Sequence, residues 1–153
     1  MFFNNRAEKN KKKLIKHLFP FLIIGCWLAL SQAPFSFTYL GLLALPTMAF
    51  FWLKFSDSSL KSGLAGGVFG LGYFSITMLW IMEPFFVGDA KYLPWLAPFA
   101  LFAVSIYLSF FWAVAFYLAT FFGGESRSKK ILNLIFFLTL GELGRSLLFG
   151  GFP

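Results

Sequence analysis

An all-α bundle of about five membrane helices is the fold the sequence predicts, and three observations predict it. The 153 residues are 59% hydrophobic and only 12% charged, with 24 Phe and a mean hydropathy of +0.77, whereas a soluble chain carries roughly 25% charged residues. Apolar blocks follow one another with short polar breaks between them. The basic residues fall almost entirely in alternate breaks. Too little charge is present to cover a water-facing surface, which excludes a soluble globular domain. The single Cys excludes an internal disulfide and a multi-Cys metal site.

Crossing about 30 Å of hydrocarbon takes roughly 20 helical residues. On that measure residues 1–16 form a basic cytoplasmic segment and 17–153 a transmembrane domain with spans near 17–32, 36–53, 63–82, 93–122 and 131–149. The fourth is longer than one perpendicular crossing requires, so it tilts, kinks or projects beyond the bilayer. Pro94 and Pro98 fall in its first turns, where a missing backbone N–H matters little.

The positive-inside rule tests the count. With the N-terminus in the cytoplasm, the inside segments 1–16, 54–62 and 123–130 hold six, two and three basic residues, eleven of the thirteen in the chain. The outside breaks hold only Lys91, and Arg145 lies within the last span. The net charge of +7 therefore records orientation, with attraction to anionic inner-leaflet lipid as a secondary effect. It argues against nucleic acid as a partner.

The first span carries two misleading likenesses. Ser31-Gln32-Ala33 resembles a signal-peptide cleavage site after an apolar stretch, but Pro34 would follow the cut and obstruct it, which favours a retained helix. Ile23-Ile24-Gly25-Cys26 resembles a lipobox, yet four further spans follow where a lipoprotein would continue into a soluble body. Cys26 reads better as a buried small hydrophobe.

In the third span, Gly63/Gly67 and Gly66/Gly70 are each four apart and make a shallow helix face where another backbone can approach closely. No Gly-Lys-Ser/Thr follows, so a nucleotide loop is the poorer reading. Tyr73, Trp80 and Glu83-Pro84 lead to the outer surface, and Tyr39, Tyr92, Trp95 and Tyr107 are placed as an interfacial aromatic belt would be.

In the last span Glu142 and Arg145 are three apart and share a helix face. Ionisable groups inside a span face protein or a water-filled cavity and mark functional sites by default. They also serve to neutralise each other and hold a helix to its neighbours, and at this point both readings stand.

Taken together, Ala33-Pro34-Phe35, the run Gly66-Gly67-Val68-Phe69-Gly70-Leu71-Gly72-Tyr73-Phe74 ending near Trp80, and Glu142-x-x-Arg145 followed by Gly151-Phe152-Pro153 resemble the N-terminal membrane part of the apolipoprotein N-acyltransferase family. The resemblance covers essentially the whole chain and about the first third of such an enzyme. It implies a bacterial inner-membrane protein whose reaction moves a fatty acyl chain from a phospholipid to a thiolate, as a thioester, and then to the α-amine of a lipoprotein's diacylglyceryl-cysteine. It further implies that the Glu-Lys-Cys triad belongs to a periplasmic nitrilase-like domain following further spans. Cys26 cannot inherit the nucleophile's role, because an apolar span disfavours the thiolate. His17, the only imidazole, sits beside the cytoplasmic lysines.

What the resemblance carries onto this chain is a lipid-binding set and no catalytic residue, cofactor or metal. Arg145 and the turn Gly151, Phe152 and Pro153 would receive a lipid head group and acyl chains, Arg because its guanidinium pairs bidentately with phosphate. Glu142 would orient Arg145, and Trp80 and Tyr73 complete the set. Because the sequence ends at Pro153, the expectation is a truncated or split enzyme, inactive alone. Its expected partners are membrane phospholipid, lipoprotein N-termini and a separate chain carrying the catalytic domain. The alternatives are a non-functional remnant and a small transporter or channel subunit using Glu142, Arg145 and the glycine face.

Overall fold

The computed structural model describes residues 2–87 and 93–148, with side chains in the first thirteen positions described at Glu8 and Lys12. Five α-helices run in chain order: α1 (Phe2–Ala29), α2 (Thr38–Leu53), α3 (Ser59–Thr77), α4 (Ala97–Phe121) and α5 (Arg127–Leu148). Among the described residues, two 3-10 segments, Leu79–Phe86 and Pro94–Leu96, stand between α3 and α4. The described residues form a helical bundle of membrane type. Its surface carries large apolar side chains such as Leu42, Leu60, Phe99 and Leu132 in the open, an arrangement that suits lipid and would be an aggregation surface in water.

The α3 helix is central, packed between α1 and α4, while α2 lies on α1 and α5 on α4. Its glycines make this possible. A Cβ on Gly66 would meet the Phe116 ring at 2.5 Å and the Trp112 carbonyl at 2.7 Å, and one on Gly70 would meet the Ser109 backbone at 2.9 Å. The predicted glycine face is therefore the seat of α4. On the other side of α3, Gly72 faces Gly25 of α1: a Cβ on Gly25 would collide with the Phe69 carbonyl oxygen, and one on Gly72 with the carbonyl oxygen of Leu22. Cys26 lies at the same crossing, half-buried, its Sγ donating to the Gly72 carbonyl at 3.6 Å. The lipobox-like residues thus lie where two backbones touch.

Trp52, Phe21, Phe69, Phe74, Phe116, Leu108 and Leu134 fill the core with almost no exposure. A buried hydroxyl ties three helices together there. The Trp52 indole N–H of α2 and the Thr120 hydroxyl of α4 both donate to Ser62 Oγ of α3, which donates to the Phe116 carbonyl at 2.8 Å. In a hydrocarbon setting such groups have no water to turn to, so the shared oxygen satisfies all of them at once.

Three differences from the sequence reading have physical causes. The basic segment is helical from Phe2 and continuous with the first apolar block; lysines are good helix formers, and Glu8 pairs with Lys12 one turn on at 3.0 Å. The third block, 63–82, is not one straight helix. It bends by 43° between Ser59–Thr77 and Leu79–Phe86, and Pro84, which has no N–H for an α-helical bond to residue 80, lies within the second piece, a 3-10 segment. Lastly, α5 starts at Arg127 and takes the basic cluster into its first turns.

By length and composition, Pro94–Phe121 and Arg127–Leu148 each suffice to cross a membrane, and Ser59–Thr77 with Leu79–Phe86 suffices as one bent pair. Leu14–Ala29 and Thr38–Leu53 are shorter apolar helices, rising about 24 Å each at 1.5 Å per residue. The helical turns that precede Leu14 are continuous with this apolar part of α1 and extend its length.

The ends of the bundle differ. At one, the His17 ring of α1 meets Phe55 of the α2–α3 link edge-on at 5.6 Å, and Lys130 of α5 reaches Ser56 Oγ at 3.1 Å and Asp57 at 3.8 Å. At the opposite end lie the α1–α2 turn, where Ser36 takes a φ of 56°, and the 3-10 segments.

Candidate functional site

The site is built on α3, α4 and α5 in the half of the bundle away from the basic end. On α5, a spacing of three places Glu142 and Arg145 on one face, and Arg145 donates from Nε at 3.0 Å and from Nη2 at 2.6 Å to Glu142 Oε2. The other carboxylate oxygen, Oε1, accepts the indole N–H of Trp112 from α4. The arginine side chain is 11% exposed and the glutamate 39%. Both oxygens of the carboxylate are thus held by charge-assisted bonds, which are the stronger kind.

Trp112 is itself held by aromatic packing. Phe69 and Tyr73, one turn apart on α3, stack on it at centroid distances of 4.9 and 5.1 Å with planes 26° apart. Phe74 leans on the same ring at 5.1 Å and also lies under the Arg145 guanidinium, 6.0 Å from its carbon. Aromatic pairs in offset contact add to burial, and a guanidinium over a ring face gains further stabilisation where water is scarce. Tyr73 lies within electrostatic reach of both Glu142 and Arg145. The ion pair is therefore fixed from below by one indole and flanked by the rings of the glycine-rich helix.

Of the predicted lipid-binding residues, the structure brings Tyr73, Glu142 and Arg145 together. Trp80 stands on the 3-10 segment Leu79–Phe86, half exposed. Gly151, Phe152 and Pro153 lie outside the described residues, as do Lys91 and Tyr92. Two members of the site were missed from sequence, Trp112 and Phe74. Trp112 left one trace: tryptophans of membrane helices gather at the interfaces, and this one sits in the interior of a long apolar helix, where its N–H must find an acceptor.

An arrangement of this kind holds one cation rigidly near the end of α5 with its counter-ion already oriented. The described groups contain no nucleophile with an adjacent base.

Residues 24–153 match the apolipoprotein N-acyltransferase N-terminal domain. The chain is 33% identical over 138 residues to an apolipoprotein N-acyltransferase of Rhodopseudomonas palustris, covering 86% of this chain and 25% of that protein. A Brucella suis apolipoprotein N-acyltransferase is 30% identical over 139 residues, covering 84% and 25%. This chain thus spans about a quarter of the length of the curated relatives it matches. No solved structure matches it. With the matched domain reaching from the last two turns of α1 to the last residue, the chain belongs to the apolipoprotein N-acyltransferase family, by way of that family's N-terminal domain.

Proposed function

We propose that this chain is the membrane portion of a lipoprotein N-acylating enzyme of the bacterial inner membrane, crossing it five times with its N-terminus in the cytoplasm. Its task is to receive the phospholipid acyl donor and the diacylglyceryl-cysteine acceptor beneath a periplasmic catalytic domain. That domain, continuous with this chain or carried on another, supplies the Glu, Lys and Cys of the acyl transfer. The thiolate displaces the lysophospholipid to form a thioester, and the acceptor amine then displaces the thiolate.

The observation that carries this reading is the Trp112–Glu142–Arg145 arrangement. It sets a cation for a head-group phosphate near the end of the bundle opposite the basic segments, with Tyr73 and Phe74 beside it. The orientation is supported by the meeting of His17, Phe55, Ser56 and Lys130 at one end, since His17 directly follows the first, and the others belong to the second and third, of the segments that hold eleven of thirteen basic residues.

The test is a chimera in which this chain replaces the matching quarter of the Rhodopseudomonas palustris protein, expressed in a strain depleted of its own acyltransferase. Growth and triacylated lipoprotein are expected with the native chain. With Arg145→Ala, acylation is expected to fall at least about tenfold, the effect of losing roughly 1.4 kcal/mol of binding. An Arg145→Ala chimera that is inserted normally and acylates at the native rate would refute the role.

A further inference from the structure

A cavity lies at the basic end, about 22 Å along α5 from Glu142 by helical rise. It has a volume of about 290 Å³ and is bounded by the end of α2, the α2–α3 link and the start of α5. Three cations line it: Lys54, Arg127 and Lys130. Its floor includes the buried Ser56, whose hydroxyl donates to the Leu53 carbonyl at 2.9 Å and accepts from Lys130. Two carboxylates temper the charge, Glu125 on the wall and Asp57 beside Lys130.

Three cations against two carboxylates leave a surplus of one positive charge, which matches a phosphodiester monoanion better than a free phosphate dianion. The lining is also partly apolar: Phe50 and Leu53 border it, and Phe50 is exposed on the same face of α2 as the exposed Leu43, seven residues before it. Lys54 lies over the Phe50 ring at 4.5 Å, joining the charged and apolar borders. A ligand with an anionic head and an apolar tail satisfies both, and inorganic phosphate satisfies one.

We propose that this cavity binds the phosphodiester of one anionic phospholipid of the cytoplasmic leaflet, clamping the α2–α3 and α4–α5 links together. The leaflet, though not the site, rests on the orientation argued above. The donor lipid of the proposed reaction would enter at the other end, so the two sites serve different molecules.

The test uses the full chain, purified in neutral detergent, stripped of lipid and titrated with phosphatidylglycerol, phosphatidylcholine or inorganic phosphate, with bound lipid counted by native mass spectrometry. One phosphatidylglycerol per chain is expected to be held at least about tenfold more tightly than phosphatidylcholine. Lys54→Gln with Arg127→Gln is expected to weaken it about thirtyfold, roughly fivefold for each cation removed near an anionic lipid. That variant keeps Lys130 and its bonds to Ser56 and Asp57, so the fold is preserved; Lys130→Gln serves as a second variant. Equal binding of the two lipids, undiminished phosphatidylglycerol binding by the double variant, or displacement of the lipid by equimolar inorganic phosphate would each overturn the site. Orientation is read separately by thiol labelling of Ser128→Cys in a Cys26→Ser background in intact cells: labelling from outside would overturn the leaflet and the proposed topology while leaving the lipid selectivity to stand or fall by itself.

Discussion

The indole N–H of Trp112 and the Oε1 of Glu142, thirty residues apart in sequence, are joined by a hydrogen bond between α4 and α5. This bond sets the rotamer of the glutamate, and the glutamate in turn sets the arginine one turn further on. Trp112 is thus a positioning residue for Arg145, acting through Glu142.

Replacing Trp112 by Phe keeps a ring for Phe69 and Tyr73 to stack on and removes only the donor. The expected loss is about 1–2 kcal/mol of stability, in the range measured for hydrogen bonds to charged groups and between membrane helices. Thermal unfolding in detergent reads it. In the chimera the same variant is expected to raise the phospholipid concentration needed for half-maximal acylation while leaving the maximal rate near native. A purely structural indole would lower the amount of folded protein without moving that concentration.

Glu142 and Arg145 offer a sharper test through a double-mutant cycle. Arg145→Gln leaves a carboxylate within a membrane helix with that cation removed, and Glu142→Gln removes the carboxylate that the guanidinium pairs with; breaking one side of such a pair is worse than neutralising both. The double variant Glu142→Gln/Arg145→Gln is therefore expected to be more stable than Arg145→Gln alone, with a coupling of about 1–3 kcal/mol. Stability would recover in the double variant, whereas acylation by the chimera would not. If acylation returned with stability, Arg145 would be holding the helix and nothing more.

Much of this was legible in the chain. Five apolar blocks announced five helices because lipid imposes a length, and the i, i+3 spacing put Glu142 and Arg145 on one face because a helix imposes a period. The Gly63 to Gly70 stripe announced a close neighbour. What it could not announce was which neighbour: α4 fills that stripe, while Gly25, read as part of a lipobox-like string, proves to face Gly72. Trp112 was hidden for the same reason. Its partner is on another helix, and a Trp inside a long apolar run shows that an acceptor is needed without showing which one.

The Gly25–Gly72 crossing makes the last prediction, because the structure supplies its own control. A methyl group on Gly25 would strike the Phe69 carbonyl and stand 3.0 Å from the Tyr73 backbone nitrogen. Those are backbone atoms of a central helix and cannot swing aside as a side chain would, so α1 and α3 must separate. Overpacking of this kind costs about 2–3 kcal/mol, and the separation would also shift Phe69 and Tyr73 beneath Trp112. Gly144 on α5 has no described atom within 4 Å of where a Cβ would stand, so Gly144→Ala is expected to be neutral or to stabilise by up to about 1 kcal/mol through helix propensity. Thermal unfolding of the two variants in one detergent decides it. A Gly25→Ala chain as stable as Gly144→Ala would mean that α1 does not sit against α3 at this point.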